Sequence, residues 1–233
     1  MRRENAASLL FCVALATAGC VGNMPTSIAE ATTQAPIQHP LARPNDIPWV
    51  GGQTYDQWTD KFGVVKVVPS ALVGPSLSLN TDSSTSSSLV TSAASFGDMT
   101  ATISETTFAQ VQTPTADSWN VAWVLWHYTD KTHFYYLILK PGGWELGKED
   151  PAYPGSQRFL ATDAAPVFPI GVSYSVQIAQ SGRTMQVAVN GTPLVQFTDT
   201  KSPYLHGNIG LYCEESSVTF ASVVVNGREL PFN

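Results

Sequence analysis

Residues 119–150, WNVAWVLWHYTDKTHFYYLILKPGGWELGKED, constrain the fold more than any other part of the chain. Side chains alternate with period two over residues 121–128 and again over 133–140, the spacing at which successive side chains leave opposite faces of a β-strand. Turn-forming polar residues separate these runs, and a Pro-Gly-Gly sequence precedes a third run at 144–148. The segment therefore predicts a three-stranded antiparallel meander.

The first of these strands carries aromatic side chains on both faces. Regular alternation places Trp123 and His127 on one face and Trp126 and Tyr128 on the other. One face has to fill a core, and the other is then free to offer aromatic rings to a ligand. Rings of this kind stack on the C–H surface of a sugar while polar neighbours bond its hydroxyl groups.

Composition limits the function classes. The chain has 233 residues, of which 13% are charged, and its net charge is −6. That length suits one β-sandwich domain. Its 12 Lys and Arg residues are scattered rather than gathered in a stripe, which argues against a nucleic-acid partner.

The N-terminal residues predict export. A basic start and an apolar run at 6–18 are typical of a signal peptide, predicted here over residues 1–20. Thr17-Ala18-Gly19-Cys20 resembles a bacterial lipobox, which makes Cys20 the predicted lipidation site and the lipid the only membrane attachment. Plain secretion after cleavage at Ala18 is the alternative. Residues 21–48, rich in Pro and Thr, predict a disordered tether, and residues 49–233 the folded domain.

The remainder of the chain is a series of short β-prone runs separated by Ser, Thr, Asp and Gly. Residues 55–62 are predicted to form a short helical or irregular lead-in, and Asn190-Gly191 a type I′ hairpin turn. Cys213 has apolar neighbours and is predicted to be a buried, unreactive thiol. About a dozen strands without an amphipathic helix predict an all-β fold of two packed antiparallel sheets, a jelly-roll β-sandwich.

Several segments together resemble the concanavalin A-like lectin/glucanase superfamily: VLWHYTDKTHFYYLIL, GWELGK, SYSVQIAQSGRTMQVAVNGTPLVQFTD, GNIGLY and VTFASVVV. Within it, the chain is most similar to laminin-G-like domains and to the bacterial domains described as 3-keto-disaccharide hydrolase or family-16-like. The resemblance covers residues 58–226 and implies a concanavalin A-like fold. It does not by itself give a function, because this fold hosts lectins, glycosidases, lyases and adhesion modules.

Two features depart from the pattern of the superfamily. The E-x-D-x-x-E string of family-16 glucanases is absent. The last strand of related domains often reads F-D-N-V, with an Asp that helps to bind a structural Ca²⁺, whereas here the sequence is Phe220-Ala221-Ser222-Val223. No cofactor and no metal site are therefore predicted.

Candidate binding residues come from the meander and the strand after it. Trp126, Tyr128 and Trp144 form the predicted sugar platform. Further predicted substrate-binding residues are Tyr136, Lys148 and Arg158.

Candidate catalytic residues fall into two sets. For a glycoside hydrolase the acids are Glu145 and Asp150. Glu145 and Glu149 share a strand face but are roughly 13 Å apart at the rise of a strand, too far to be the pair of a retaining enzyme by themselves. Either could pair with an acid from another strand, such as Glu105. For a polysaccharide lyase, His127 is the base and Tyr136 the acid, while Lys148 or Arg158 neutralises a uronate.

Each of these residues also has an ordinary structural explanation, as a strand-end charge, a hydrogen-bonded sheet histidine or a core aromatic. The sequence therefore leaves two functions open. One is an exported envelope protein that recognises a polysaccharide or oligosaccharide through an aromatic sheet face. The other is a glycoside hydrolase, or a polysaccharide lyase, that acts on an extracellular polysaccharide.

Overall fold

The computed structural model describes residues 45–82 and 84–233. These residues form seventeen β-strands and no α-helix. The strands are β1 (Ile47–Pro48), β2 (Thr54–Tyr55), β3 (Trp58–Phe62), β4 (Val64–Val68), β5 (Ser76–Asn80), β6 (Ser87–Phe96), β7 (Met99–Gln110), β8 (Ala122–Asp130), β9 (His133–Lys140), β10 (Gly143–Glu149), β11 (Gln157–Asp163), β12 (Ser173–Ser181), β13 (Thr184–Val189), β14 (Thr192–Thr198), β15 (Gly207–Glu214), β16 (Ser216–Val225) and β17 (Arg228–Glu229).

The strands make two antiparallel sheets. Sheet I has the order β1-β4-β5-β16-β7-β12-β13-β14, with β17 paired to β16. Sheet II has the order β11-β10-β9-β8-β15-β6-β3-β2. The predicted jelly-roll sandwich is confirmed. Within the described residues no helix is long and apolar enough to cross a membrane.

The core lies between the two sheets and is built from alternate residues of their strands. Sheet I contributes Leu77, Ile103, Val176 and Phe220, and sheet II contributes Trp126, Leu137, Leu146 and Leu211, all buried. Burying one such side chain contributes about 1.5–3 kcal/mol. Cys213 lies in this core with a free thiol, and burial raises its pKa to about 12, in agreement with the predicted unreactive residue.

The predicted meander is confirmed as β8, β9 and β10. Trp123 pairs with Ile138 across β8 and β9, and Trp144 pairs with Leu139 across β9 and β10. The Asn190-Gly191 turn is also confirmed. Both residues have positive φ, 52° and 78°, as a type I′ turn requires.

The N-terminal part of the sandwich differs from the prediction. Residues 55–62 form most of β2 and β3, not a helical lead-in, because Trp58 packs in the core 5.4 Å from the ring of Phe232 and β3 pairs with β6. The first strand, β1, includes the last two residues assigned to the tether. The signal peptide, the lipidation site at Cys20 and residues 21–44 lie outside the described residues.

Candidate functional site

A groove runs along the outer face of sheet II, the face turned away from sheet I. A second apolar cluster, separate from the core, forms its base: Leu89, Val121, Trp123, Leu125, Tyr128, Tyr136 and Ile138. The groove has a volume of about 720 Å³, within the range of small-ligand sites. Its charged lining residues are Lys131, Lys140, Glu145, Glu149 and Glu214.

Strand β8 contains a bulge at His127, which turns the next residue, Tyr128, towards the groove. The pairing of β8 with β9 shifts between Trp126 and Asp130, and His127 has a φ of 48°. A bulge adds one residue to a strand, so the alternation of faces reverses beyond it. Trp126 therefore points into the core, whereas Tyr128 lies in the groove on the same face as Trp123.

Packed aromatic rings form the floor of the groove. The ring of Trp123 lies 5.1 Å from that of Tyr136 and meets Tyr212 edge-on at 5.5 Å. Its Nε1 donates to the backbone oxygen of Trp119 at 2.8 Å, which fixes the indole. At the rim, Trp119 is 43% exposed and Phe159 is 59% exposed, so both rings are free to stack on a ligand.

Glu145 on β10 is held in place by two donors. The Tyr136 hydroxyl donates to Oε1 at 2.8 Å, and Lys140 Nζ donates to Oε2 at 2.9 Å. Gln157 Nε2 in turn donates to the Tyr136 hydroxyl at 2.9 Å. A Cβ atom on Gly147 would come within 2.0 Å of the Tyr136 ring, so glycine is what lets that ring lie across β10. Burial, and then the charge of Glu145, raise the pKa of Tyr136.

Glu149 faces the same groove from the end of β10. Its carboxylate makes no hydrogen bond or ion pair with the residues that the structure describes. Burial raises the pKa of Glu149, and the negative charge of Glu214 raises it further. Glu214 itself accepts a hydrogen bond from the Tyr212 hydroxyl at 2.5 Å. The groove thus combines an anchored carboxylate with one that lacks a partner.

The predicted sugar platform is wrong for two of its three members. Trp126 is 0% exposed, and its Nε1 donates to Gln180 Oε1 at 2.7 Å inside the sandwich. Trp144 is also a core residue, with Nε1 bonded to the Ala165 carbonyl at 3.0 Å. Neither ring has a face available to a ligand.

His127 is not placed to act as the base of a lyase. It is 1% exposed, and its two ring nitrogens contact the backbone oxygens of Tyr204 at 2.8 Å and Gly97 at 3.0 Å. Burial lowers its pKa despite these contacts. The imidazole connects the bulge of β8 to the loops that contain Gly97 and Tyr204, and it does not line the groove.

Lys148 and Arg158, which were predicted to bind substrate, point away from the groove and do not line it. Lys148 is 0% exposed, with Nζ 3.0 Å from Asp199 Oδ2 and donating to the carbonyls of Lys201 and Ser202 at 3.0 and 2.6 Å. Arg158 approaches Asp199 Oδ1 at 3.4 Å. We call Lys148, Arg158 and Asp199 the buried ionic cluster.

The structure does not bring the predicted catalytic acids together. Asp150 accepts the Ala152 N–H at 3.0 Å and lies 3.5 Å from Lys148, on the side of the buried ionic cluster. Glu105 lies in the sandwich interior on β7 and does not line the groove. Only Glu145 of the three faces the groove.

Of the predicted site residues, Tyr128, Tyr136 and Glu145 share the groove face. Several groove residues were not predicted as site residues from the sequence, among them Trp119, Trp123, Phe159, Glu149 and Glu214. The sequence did contain a signal for the two acids. Glu149 and Glu214 are an even number of residues from Glu145 and Tyr212, respectively, the spacing at which side chains share one face of a strand. The described residues contain no group of three or more His, Cys, Asp or Glu side chains that could hold a metal ion, and the absence of a cofactor stays a prediction.

The fold belongs to the class of concanavalin A-like jelly-roll sandwiches, as the sequence predicted. No protein-family model matches the sequence, and no curated protein matches it. The similarity is therefore one of structure.

Three solved structures illustrate it. The carbohydrate-binding module CBM66 from Bacillus subtilis is 15% identical with a TM-score of 0.55, over 72% of this chain and 94% of that one. A GH16 protein of the Bacteroides ovatus mixed-linkage glucan locus, in complex with a product, is 8% identical with a TM-score of 0.52, over 74% and 96%. A Bacillus subtilis protein of unknown function with a galectin-like fold is 14% identical with a TM-score of 0.50, over 76% and 91%. At these identities the likeness establishes the fold alone.

Proposed function

We propose that the groove of sheet II binds a glycan chain. The observation that carries this proposal is the combination of exposed rings, Trp119 and Phe159, with hydrogen-bonding groups on one continuous face. Aromatic faces stack on sugar C–H surfaces, and carboxylate and ammonium groups bond sugar hydroxyls. The similarity to a carbohydrate-binding module and to a GH16 protein supports the same choice.

We further propose that binding takes place outside the cytoplasm. The support is the sequence of residues 1–20, with its basic start, its apolar run and the lipobox-like Cys20. A protein held at the cell envelope would meet extracellular or wall polysaccharides there.

Glycoside hydrolysis is the second candidate, and one observation favours it. Glu149 has a raised pKa in a groove that it shares with Glu145 and Glu214. A carboxyl group with a raised pKa beside a second carboxylate is the pattern in which one acts as general acid and the other as base or nucleophile. The burial of His127 leaves no comparable support for a lyase.

A binding panel tests the proposal. The protein is titrated with polysaccharides by calorimetry, and reducing ends and unsaturated products are measured in the same samples. We expect at least one glycan to bind, and Trp119→Ala to weaken that binding by about 1–3 kcal/mol, the scale for an aromatic side chain that carries binding energy. The matched control is Phe108→Ala, an exposed ring on sheet I, which should leave affinity unchanged.

The outcomes separate the candidates. Binding without new reducing ends identifies a binding protein, and new reducing ends that are lost in Glu149→Gln identify a hydrolase. If no glycan binds, or if Trp119→Ala and Phe108→Ala both bind as the parent does, the groove is not the site.

A further inference from the structure

The charges in the groove are unevenly paired. Lys140 and Glu145 neutralise each other at 2.9 Å, and Lys131 is exposed at the turn between β8 and β9. The two remaining charged groups, Glu149 and Glu214, have no cationic partner among the described residues. An acidic sugar would add a further negative charge beside them, whereas a cation would compensate them.

The surroundings of Glu149 suit a cation. Glu149 pairs across β9 with Phe134 and across β11 with Gln157. Phe159 pairs with Gly147, two residues before Glu149, and Phe134 and Phe159 both line the groove, so each of the two strands beside β10 places an aromatic ring on the face of Glu149. The negative face of an aromatic ring attracts an ammonium group, and the half-buried carboxylate is a charge-assisted acceptor for its N–H bonds.

We propose that the Glu149 end of the groove binds the protonated amine of an amino sugar, so that the preferred glycan carries free, non-acetylated amino groups. The sugar ring would stack on Phe159 or Phe134 while the ammonium group donates to the Glu149 carboxylate. This inference rests on the proposed glycan binding. It assigns Glu149 as a specificity-determining residue rather than as part of the aromatic anchor.

The experiment compares ligands that differ only in the amine. A β-1,4-linked glucosamine hexasaccharide, its fully N-acetylated counterpart and a uronic acid oligomer of equal length are titrated by calorimetry at low ionic strength. The pH is chosen so that the amine is protonated. We expect the free-amine oligomer to bind about tenfold more tightly than the acetylated one, the scale of one good charge pair, and the uronate to bind most weakly. Added salt should reduce the preference.

Two variants test the assignment. Glu149→Gln should remove the preference for the amine over the acetylated oligomer, and Lys131→Gln should increase the preference because it removes a like charge. Glu229→Gln, an exposed position on β17, is the matched control and should change neither.

Equal binding of the amine and acetylated oligomers would overturn the amino-sugar inference but leave glycan binding in place, as would a preference that survives Glu149→Gln. Failure of all three oligomers and of the wider polysaccharide panel would instead overturn the proposed function itself.

Discussion

The Glu105 carboxyl group lies between the two sheets, where the residue is 4% exposed and Oε2 has no hydrogen-bond partner among the described residues. Burial raises its pKa from 4.5 to about 8. The folded protein therefore keeps a proton that the unfolded chain releases above about 4.5. The contribution of Glu105 to the free energy of unfolding is fully present below about pH 4.5. It decreases as the pH rises to about 8, by at most about 1.4 kcal/mol per pH unit.

We predict that the free energy of unfolding decreases from about pH 7 to about pH 8. Asp60, whose pKa burial raises to about 6, and His127, whose pKa burial lowers from 6.5, titrate mainly below this window, and the Glu105→Gln variant isolates the contribution of Glu105. Urea unfolding at closely spaced pH values measures the slope. Glu105→Gln should flatten it and Glu229→Gln should not. An unchanged slope in Glu105→Gln would contradict the assignment.

At the residue scale, sequence reasoning predicted that Trp123 and Trp126 lie on opposite faces, and the structure agrees. It assigned Trp126 to the ligand face, whereas Trp126 lies in the sandwich core and Trp123 in the floor of the groove. Both faces of β8 are apolar, so the alternation alone does not show which face turns towards the core. It also placed Tyr128 on the face of Trp126, since the bulge at His127 leaves no mark in a period-two pattern.

At the scale of single elements, local patterns predicted the meander and the Asn190-Gly191 turn but not β2 and β3. Residues 55–62 form strands because Trp58 packs against the C-terminal Phe232 and β3 pairs with β6. These partners are distant in sequence, and β-strand formation depends on such neighbours more than on intrinsic propensity.

The buried ionic cluster stabilises the end of β10. Besides its bonds to Asp199 and the loop carbonyls, Lys148 Nζ lies 4.2 Å from the centre of the Tyr204 ring. Burial alone would raise the pKa of Asp199, but hydrogen bonds from Lys201, Lys148 and Tyr135 outweigh it and lower the pKa. The low pKa of the Asp199 carboxyl group therefore depends on its hydrogen-bond donors, and Lys148 is one of them.

We predict that Lys148→Met destabilises the domain by about 3–5 kcal/mol, because it leaves a buried charge poorly compensated. Urea unfolding measures the loss. Adding Asp199→Asn to this variant should recover part of it, since the unpaired charge is then gone. Lys61→Met, at an exposed position of β3, is the control and should stay within about 0.5 kcal/mol of the parent. A loss no larger than that of the control would show that the cluster contributes little.

At the scale of the whole molecule, the number of strands and the turn chemistry were sufficient to predict two packed sheets. The site was not predictable in the same way. Its lining comes from β3, β6, β8, β9, β10, β11 and β15, and their order in sheet II follows from pairings between segments far apart in the chain. Glu214 on β15 and Phe159 on β11 share a groove only once that order is known.

The last prediction concerns whether a lipid at Cys20 holds the protein at the cell envelope. If Cys20 is lipidated, each acyl methylene buried in the membrane contributes about 0.8 kcal/mol, enough in several chains to anchor the protein. We expect globomycin to block processing in the native host, and Cys20→Ala to shift the protein from the membrane to the soluble fraction with the mass change of a lost lipid. Cys12→Ala, within the apolar run of the signal peptide, is the matched control and should be processed normally.

The released Cys20→Ala protein should bind its glycan with the affinity of the parent, because the groove lies wholly within residues 62–214. Unchanged mass and membrane partition in both the drug-treated and the Cys20→Ala samples would instead indicate simple secretion.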